Sequence, residues 1–223
     1  MNEPARGFEL IERAGGSLNG STWYDRTNYY ENVPSNYLET ALWMEADRMG
    51  FLLDKLDEEK FKAQRDIVQN ERRQGTDNQP YGRAFEIVTT QMVPESHPYS
   101  WPVVGYLTDL QRATVDDVKE FFRKYYTPAN AVLAIAGDFK SDELRKRIEY
   151  WFADVKPGPV AAPIEVPPAE LTTVVKETMT DNVQLPRLYL TWLTPKQYAP
   201  GDAELDVAAS ILTGGKTSRL YKR

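Results

Sequence analysis

The sequence predicts an α+β fold, in which an antiparallel sheet packs with helices and is followed by the start of a second α/β unit. Three observations support this prediction. Residues 17–24 and 27–33 are rich in Thr, Tyr and Trp and flank a short bend, which is typical of a β-hairpin. Several other segments carry apolar residues at helical spacing. A proline-rich stretch, residues 156–170, then separates two parts of different composition.

The N-terminal half is predicted to be mainly helical around the hairpin. A helix is expected over residues 4–14, closed by two consecutive glycines. After the hairpin, Ser35 is expected to cap a helix that reaches about residue 53, and Asp57 is expected to cap the next helix. A further helical stretch is predicted over residues 80–92.

The middle of the chain is predicted to form a helix, a buried strand and another helix. Thr114 to Asp117 is a capping-box sequence, and apolar residues at helical spacing follow it. Residues 130–136 form a short continuous apolar run, which predicts a strand buried on both faces. Ser141 is expected to cap a helix that ends near residue 153.

Beyond the proline-rich stretch, strands are predicted over residues 172–179 and 185–193, and a helix over 202–212. Two strands and one helix bury too little apolar surface to close a core alone, so this unit is expected to be incomplete. The predicted domain organisation has three parts: a first domain at residues 1–155, a linker at 156–170, and the truncated start of a second domain at 171–223.

Composition excludes several function classes. The net charge of −6 and the lack of a Lys/Arg cluster argue against a nucleic-acid partner. No apolar run reaches the roughly 18 residues that a bilayer requires, so no membrane insertion is expected. The absence of cysteine excludes thiolate catalysis and Cys-ligated zinc, and leaves the compartment open between periplasm and cytoplasm. With His97 as the single histidine, the chain cannot supply the histidine pair that most catalytic zinc sites use.

One helix combines apolar residues with a carboxylate. Phe61, Ile67 and Val68 mark an apolar arc at 100° per residue. Gln64 and Glu71 fall inside this arc, so Glu71 is expected to point inward. A buried, unpaired carboxylate costs several kcal/mol, so Glu71 needs a partner or a proton.

The residues alone leave two interpretations of Glu71 open. In the first, it forms an ion pair with Arg65 or Arg72, or its long side chain lets the carboxylate reach water. In the second, Glu71 is a metal ligand, and the other ligands lie elsewhere.

Six motifs occur in order along the chain: a Gly-Gly turn, an Asn-containing strand, a T-N-Y strand, a V-Q-N-E helix, an H-P-Y loop and a P-A-N segment that runs into Gly-Asp. In order and approximate spacing, they resemble the zinc metallopeptidases of the insulinase, pitrilysin and processing-peptidase type, family M16. Farther on, LPRLYLTWLTP and ILTGGKTSRLY resemble the opening of that family's second homologous domain. The resemblance covers most of the chain.

The resemblance implies roles for particular residues. Members of this family hold zinc with two His from an H-x-x-E-H motif and with a distal Glu, and Glu71 matches that Glu. Their substrate lies in extended form along an edge strand, which corresponds to residues 17–22. Asn19, Gly20 and Ser21 are the implied substrate contacts, although Gly20, like the Gly-Gly turn, is open to a purely conformational interpretation.

The sequence also departs from the family pattern. The H-x-x-E-H motif would lie upstream of Met1, so both His ligands and the general-base Glu are missing here. A substrate-orienting Arg and Tyr would follow Arg223 and are missing too. Gln64 replaces a second Glu and is expected to lie beside the metal as a neutral amide. His97 matches the H-P-Y loop, where the histidine is structural.

The resulting hypothesis is an internal fragment of a zinc-dependent endopeptidase that hydrolyses peptides or small proteins bound in extended form. Zinc is expected in the full-length parent and not in this chain alone, which is expected to be inactive. The expected partners are a peptide or unfolded protein substrate and the remaining M16 domains or a paired subunit; self-association of the fragment is also expected. The alternative is a non-catalytic M16-like subunit that binds peptides or acts as a scaffold.

Overall fold

The computed structural model describes residues 4–222, and within that range it contains eight α-helices and two β-strands. In chain order these are α1 (Pro4–Arg13), β1 (Ser17–Trp23), β2 (Arg26–Asn32), α2 (Leu38–Phe51), α3 (Glu58–Arg72), α4 (Ala84–Met92), α5 (Leu107–Arg112), α6 (Val115–Tyr125), α7 (Ser141–Phe152) and α8 (Asp202–Thr213). None of the described helices is both long and apolar enough to cross a membrane.

Internal contacts divide the chain into two compact units. The first contains the described residues up to Gln79 together with Pro102–Glu165, and the second contains Pro80–Trp101 and the described residues from Val166 onward. Residues 80–101 thus belong with the C-terminal segment, although residues 102–165 lie between the two in the sequence. The boundaries at residues 155 and 170 remain a prediction.

In the first unit, β1 and β2 form the expected hairpin. The strands pair antiparallel, from Ser17 opposite Asn32 to Trp23 opposite Arg26. The buried apolar side chains come mainly from the helices, since Leu42 and Ala46 of α2, Phe61 of α3 and Leu144 of α7 are at most 8% exposed. These helices therefore supply most of the small core of this unit.

Two predicted helix starts are confirmed and two are wrong. Asp57 accepts the Lys60 backbone N–H at 2.9 Å, and Thr114 forms the predicted capping box. Ser35 instead opens a 3₁₀ turn before α2. Ser141 is already the first residue of α7, because the preceding carbonyl accepts the first helical hydrogen bond, from the Leu144 N–H at 2.9 Å.

The strands predicted over residues 130–136, 172–179 and 185–193 are wrong, because the structure shows no strand in any of these segments. An extended segment becomes a strand only when a neighbour completes its hydrogen-bond ladder, and among the described residues none of the three has one. Their apolar side chains are consequently exposed: Val132 is 95% exposed and Leu188 is 80% exposed.

In the second unit, α4 begins four residues later than predicted, at Ala84. Tyr81 has a φ of +60°, which a helix cannot accommodate. The backbone N–H of Tyr81 donates to Asp181 Oδ2 at 2.7 Å, and its hydroxyl donates to the Leu185 carbonyl. The Arg187 guanidinium carbon lies 4.0 Å from the centre of the Tyr81 ring. These contacts tie residues 80–101 to the C-terminal segment.

Candidate functional site

The first candidate site is the outer edge of β1, which carries the three implied substrate contacts. Within the described residues β1 pairs with β2 alone, so its other edge has no neighbouring strand. Asn19 and Gly20 are exposed, and Ser21 is half-buried. An unpaired edge offers backbone donors and acceptors to an extended chain, so this edge is suited to binding a peptide.

Two side-chain hydrogen bonds modify this edge. The Gly20 backbone N–H donates to the Asn19 Oδ1 at 2.8 Å, and the Arg26 Nη1 donates to the Ser21 Oγ at 2.8 Å. The Ser21 hydroxyl is therefore used within the hairpin. A peptide that pairs with the Gly20 N–H has to displace the Asn19 amide first.

The glycines before and within β1 differ in how far their backbone conformation and the space around them exclude a side chain. Gly15 has a φ of +77°, and a Cβ on Gly16 would lie 2.6 Å from the backbone oxygen of Asn32. Both positions therefore serve the turn. A Cβ on Gly20 would have its nearest neighbour at 3.4 Å, the Asn28 carbonyl oxygen, and the ladder there is regular. The conformational interpretation thus fits Gly15 and Gly16 and does not account for Gly20.

A charged and aromatic cluster, the Glu31 cluster, connects the hairpin to α2 and to Tyr126, the residue after α6. Arg48 lies 3.0 Å from Glu45 and 3.7 Å from Glu31, both measured from Nη2 to a carboxylate Oε1. The Arg48 guanidinium carbon also lies 3.9 Å from the centre of the Tyr29 ring. The Tyr29 and Tyr126 hydroxyls are hydrogen-bonded at 2.9 Å. These contacts fix the position of β2, the strand that pairs with β1 on the side opposite its outer edge.

Two groups of the Glu31 cluster have a raised pKa. Burial, followed by the hydrogen bond and charge of Glu45, raises the pKa of Glu31 to about 8 even though Arg48 lowers it. Burial and the hydrogen bond to Tyr126 also raise the pKa of Tyr29. Glu31 therefore retains a proton near neutral pH.

Sequence analysis missed this cluster. The available signal was spacing: Tyr29 and Glu31 lie two apart on one strand, and Glu45 and Arg48 lie three apart on one helix. That spacing places each pair on one face of its element, but it cannot show which faces meet.

The second candidate site is Glu71 on α3, and its predicted inward orientation is wrong. Glu71 is exposed, whereas Phe61, Gln69 and Arg72 are the buried residues of this helix. The helix buries the arc next to the predicted one, which leaves Ile67 49% exposed. The carboxylate therefore reaches water, and this exposure is compatible with both interpretations of Glu71 that the sequence leaves open.

Hydrogen bonds from two arginines determine which face of α3 is buried. The Arg72 Nη1 donates to the Gly105 carbonyl at 2.7 Å, and the Arg65 Nη1 donates to the Ala113 carbonyl at 3.3 Å. Arg72 also lies 3.7 Å from Asp77. These contacts satisfy backbone carbonyls of the segment after residue 101, so polar partners outweigh the apolar pattern in orienting the helix.

Gln64 is also exposed, seven residues before Glu71 on the same helical stripe. This stripe presents an amide and a carboxylate to solvent. The roles of Gln64 beside a metal and of Glu71 as a ligand remain predictions.

The metal-ligating side chains that the structure describes lie apart from one another. Across residues 4–222, no group of three or more carboxylate, imidazole or thiol side chains is arranged so that it could hold a metal ion. His97 belongs to the second unit, where it is 6% exposed. Its Nδ1 accepts the Tyr99 backbone N–H at 3.0 Å, an arrangement that stabilises the loop.

Comparison with known proteins identifies the family. Residues 112–223, about half of the chain, match the family described as Peptidase M16 inactive domain. Residues 2–97 match the family described as Insulinase (Peptidase family M16). The zinc protease PqqE of Helicobacter pylori is 31% identical over 220 residues, which is 95% of this chain and 48% of that protease. The chain thus spans about half the length of this relative.

Solved structures agree with these matches. A protease from Helicobacter pylori aligns with a TM-score of 0.65 and 30% identity, over 76% of this chain and 39% of that one. Pitrilysin aligns with a TM-score of 0.60 and 27% identity, over 74% of this chain and 18% of that one. The predicted fold class, helices with an antiparallel sheet of the M16 type, is confirmed. The chain therefore belongs to peptidase family M16.

Proposed function

We propose that this chain is part of a zinc-dependent M16 endopeptidase and provides the strand along which the substrate lies in extended form. The unpaired outer edge of β1, as far as the described residues show, supports this most, with Asn19 and Gly20 exposed on it. Backbone pairing to an edge tolerates many side chains, so the substrate class is peptides or unfolded protein segments rather than one folded protein.

Amide hydrogen exchange tests the binding role on this chain directly. A non-hydrolysed peptide should slow exchange in β1 (Ser17–Trp23) and leave α7 unchanged. Asn19→Ala should strengthen the effect, because the Gly20 N–H no longer has an internal acceptor. Protection confined to another segment would exclude the β1 edge as the peptide site.

Glu71 is proposed as one ligand of the zinc, with the remaining donors supplied by residues outside this sequence. Its carboxylate is exposed on α3 and is thus accessible to a zinc ion that such donors would also bind. Because the described residues do not form a metal site, no catalytic step is assigned to them. Peptide hydrolysis is proposed only for the full-length parent.

The isolated chain is expected to bind zinc weakly, because one carboxylate supplies fewer than the three protein ligands of a catalytic site. Calorimetric titration at neutral pH measures this. Stoichiometric binding with submicromolar affinity would show that the chain holds a complete site and would refute the proposed division of ligands.

The full-length parent provides the catalytic test. Glu71→Gln should remove bound zinc and lower hydrolysis of a quenched fluorescent peptide by more than about 100-fold, since loss of an outer partner of a ligand already costs 10–100-fold. Glu59→Gln, an exposed change on the same helix, serves as the matched control. Unchanged zinc content in the Glu71 variant would exclude its role as a ligand.

A second candidate is a non-catalytic M16 subunit that binds peptides or acts as a scaffold. It is favoured by the match of residues 112–223 to a family described as an inactive domain. In this case, the parent would protect β1 on binding a peptide and would leave the peptide intact, with or without added zinc. The hydrolysis assay and the exchange assay together therefore distinguish the two functions.

A further inference from the structure

An aromatic and acidic cavity of about 380 Å³ lies between α2 and the end of α7 in the first unit. Its lining consists of Trp43, Ala46, Asp47, Phe51, Tyr150, Trp151, Ala153 and Asp154. We call it the Trp43 cavity. Its volume is at the lower end of the range for small-ligand sites, which suits one side chain better than a whole cofactor.

The walls of the Trp43 cavity follow from helical spacing. Trp43, Asp47 and Phe51 recur every four residues on one face of α2. The floor is tightly packed: Ala46 is 3% exposed, and a Cβ on Gly50 would lie 3.2 Å from a Val155 methyl carbon. The close approach of the two helices therefore fixes the cavity on its inner side.

On the α7 side, Tyr150 and Trp151 form an edge-to-face pair with ring centroids 5.1 Å apart. The Trp151 Nε1 donates to the Glu39 Oε1 at 3.3 Å, which fixes the indole and adds a third carboxylate nearby. Tyr150 is 70% exposed and stands at the open side of the cavity.

The charge of the lining selects the class of ligand. Asp154 contributes an exposed carboxylate, and Asp47 adds a second carboxylate that also takes part in other contacts; none of the described lining residues is basic. Aromatic faces and carboxylates both attract cations. A guanidinium fits this combination better than an ammonium, since it is planar, stacks on indole rings and donates to carboxylates in a fixed fork.

We propose that the Trp43 cavity binds the arginine side chain of another polypeptide, with the guanidinium between the indoles and the carboxylates. This inference does not rest on the proposed peptidase function, because neither zinc nor hydrolysis takes part in it. It concerns helices α2 and α7, not the β1 edge.

Nuclear magnetic resonance of the indole N–H groups tests the proposal on this chain. Titration with acetyl-arginine-amide should shift the Trp43 and Trp151 signals, which Trp→Phe variants assign. Acetyl-citrulline-amide, the neutral isostere, should bind at least about tenfold more weakly, as expected when the cation contributes over 1 kcal/mol. Equal binding of both compounds, or no saturable shift, would overturn the proposal.

Exposed lining residues provide variants that should fold. Asp154→Asn and Tyr150→Leu should each weaken binding of acetyl-arginine-amide about threefold to tenfold. Asp138→Asn and Tyr198→Leu, which are also exposed, are the matched controls and should leave it unchanged. Loss of binding in the controls, or unchanged binding in both lining variants, would place the ligand elsewhere.

Two further outcomes would change which side chain, or which polypeptide, is assigned to the Trp43 cavity. If acetyl-lysine-amide binds as tightly as the arginine compound, the guanidinium assignment is wrong. If acetyl-arginine-amide dissociates a dimer of the chain in sedimentation experiments, the occupant is a second copy rather than a different polypeptide.

Discussion

Neighbouring residues of α3 lie in opposite environments, which separates a candidate functional residue from a structural one. Glu71 is exposed, whereas Arg72 is 5% exposed and donates to the Gly105 carbonyl at 2.7 Å. The carboxylate therefore contributes little to folding, while the guanidinium satisfies a backbone group that has few alternatives.

Substitution of these neighbours should separate their contributions. Arg72→Ala is expected to lower the free energy of unfolding by about 2–4 kcal/mol, because it removes a buried guanidinium and leaves the half-buried Gly105 carbonyl without this donor. Glu71→Gln should change it by less than about 0.5 kcal/mol. Urea unfolding of the two variants measures both values. A large loss for the Glu71 variant would indicate an ion pair that is not seen among the described residues.

Glu31 should make stability depend on pH. Its pKa rises from an ordinary value of 4.5 to about 8 in the folded state. Between these values the folded state binds more protons than the unfolded state, so the free energy of unfolding falls as pH rises and levels off above about 8. For one proton the slope is at most about 1.4 kcal/mol per pH unit.

Glu31→Gln should remove that slope and should stabilise the fold relative to the parent chain at pH 9. Urea unfolding at pH 5, 7 and 9 measures the difference. Glu59→Gln, on the exposed surface, is the control and should keep the slope. An unchanged pH dependence in the Glu31 variant would mean that another group titrates.

At the scale of elements, the hairpin depends on its entry turn more than on its central glycine. Gly16→Ala should lower the free energy of unfolding by about 1–3 kcal/mol, because the new Cβ would lie 2.6 Å from the Asn32 carbonyl oxygen. Gly20→Ala should cost less than about 0.5 kcal/mol, since its nearest contact is at 3.4 Å. Thermal unfolding compares them. Equal losses would mean that β1 is strained at Gly20.

Sequence predicted most of the local elements, apart from the helix starts at Ser35 and Ser141, and failed more widely where a distant partner was needed. The hairpin and the caps at Asp57 and Thr114 depend on neighbouring residues, and the structure contains them. The three wrong strands depend on ladder partners that sequence cannot reveal. The prediction that Glu71 points inward failed for a similar reason, since carbonyl acceptors from beyond residue 101 determine which face of α3 is buried.

At the scale of the whole molecule, the proline-rich segment should be the first site of proteolysis. Residues 156–170 contain five prolines, and the structure shows neither helix nor strand in them. Limited proteolysis followed by mass spectrometry should therefore find the first cut there. A first cut within α2 or α3 would contradict the predicted boundary. The N-terminal product would retain residues 80–101, which belong to the second unit.

The second unit should drive self-association, because its apolar side chains face solvent. Leu188, Leu190 and Trp192 are 80%, 61% and 73% exposed, and Ile211 is 55% exposed. Apolar patches beyond roughly several hundred Å² seldom remain in contact with water. The chain is therefore expected to form dimers or larger species at micromolar concentration, as measured by light scattering.

Replacing Leu188, Leu190 and Trp192 together with serine should shift the chain toward monomer, because the change removes apolar surface without disturbing a buried contact. Val132→Ser is the control in the first unit, where the side chain is more accessible still, at 95% exposure. If the control has the larger effect, association proceeds through the first unit instead. A monodisperse monomer for the unaltered chain would show that these side chains are covered in solution.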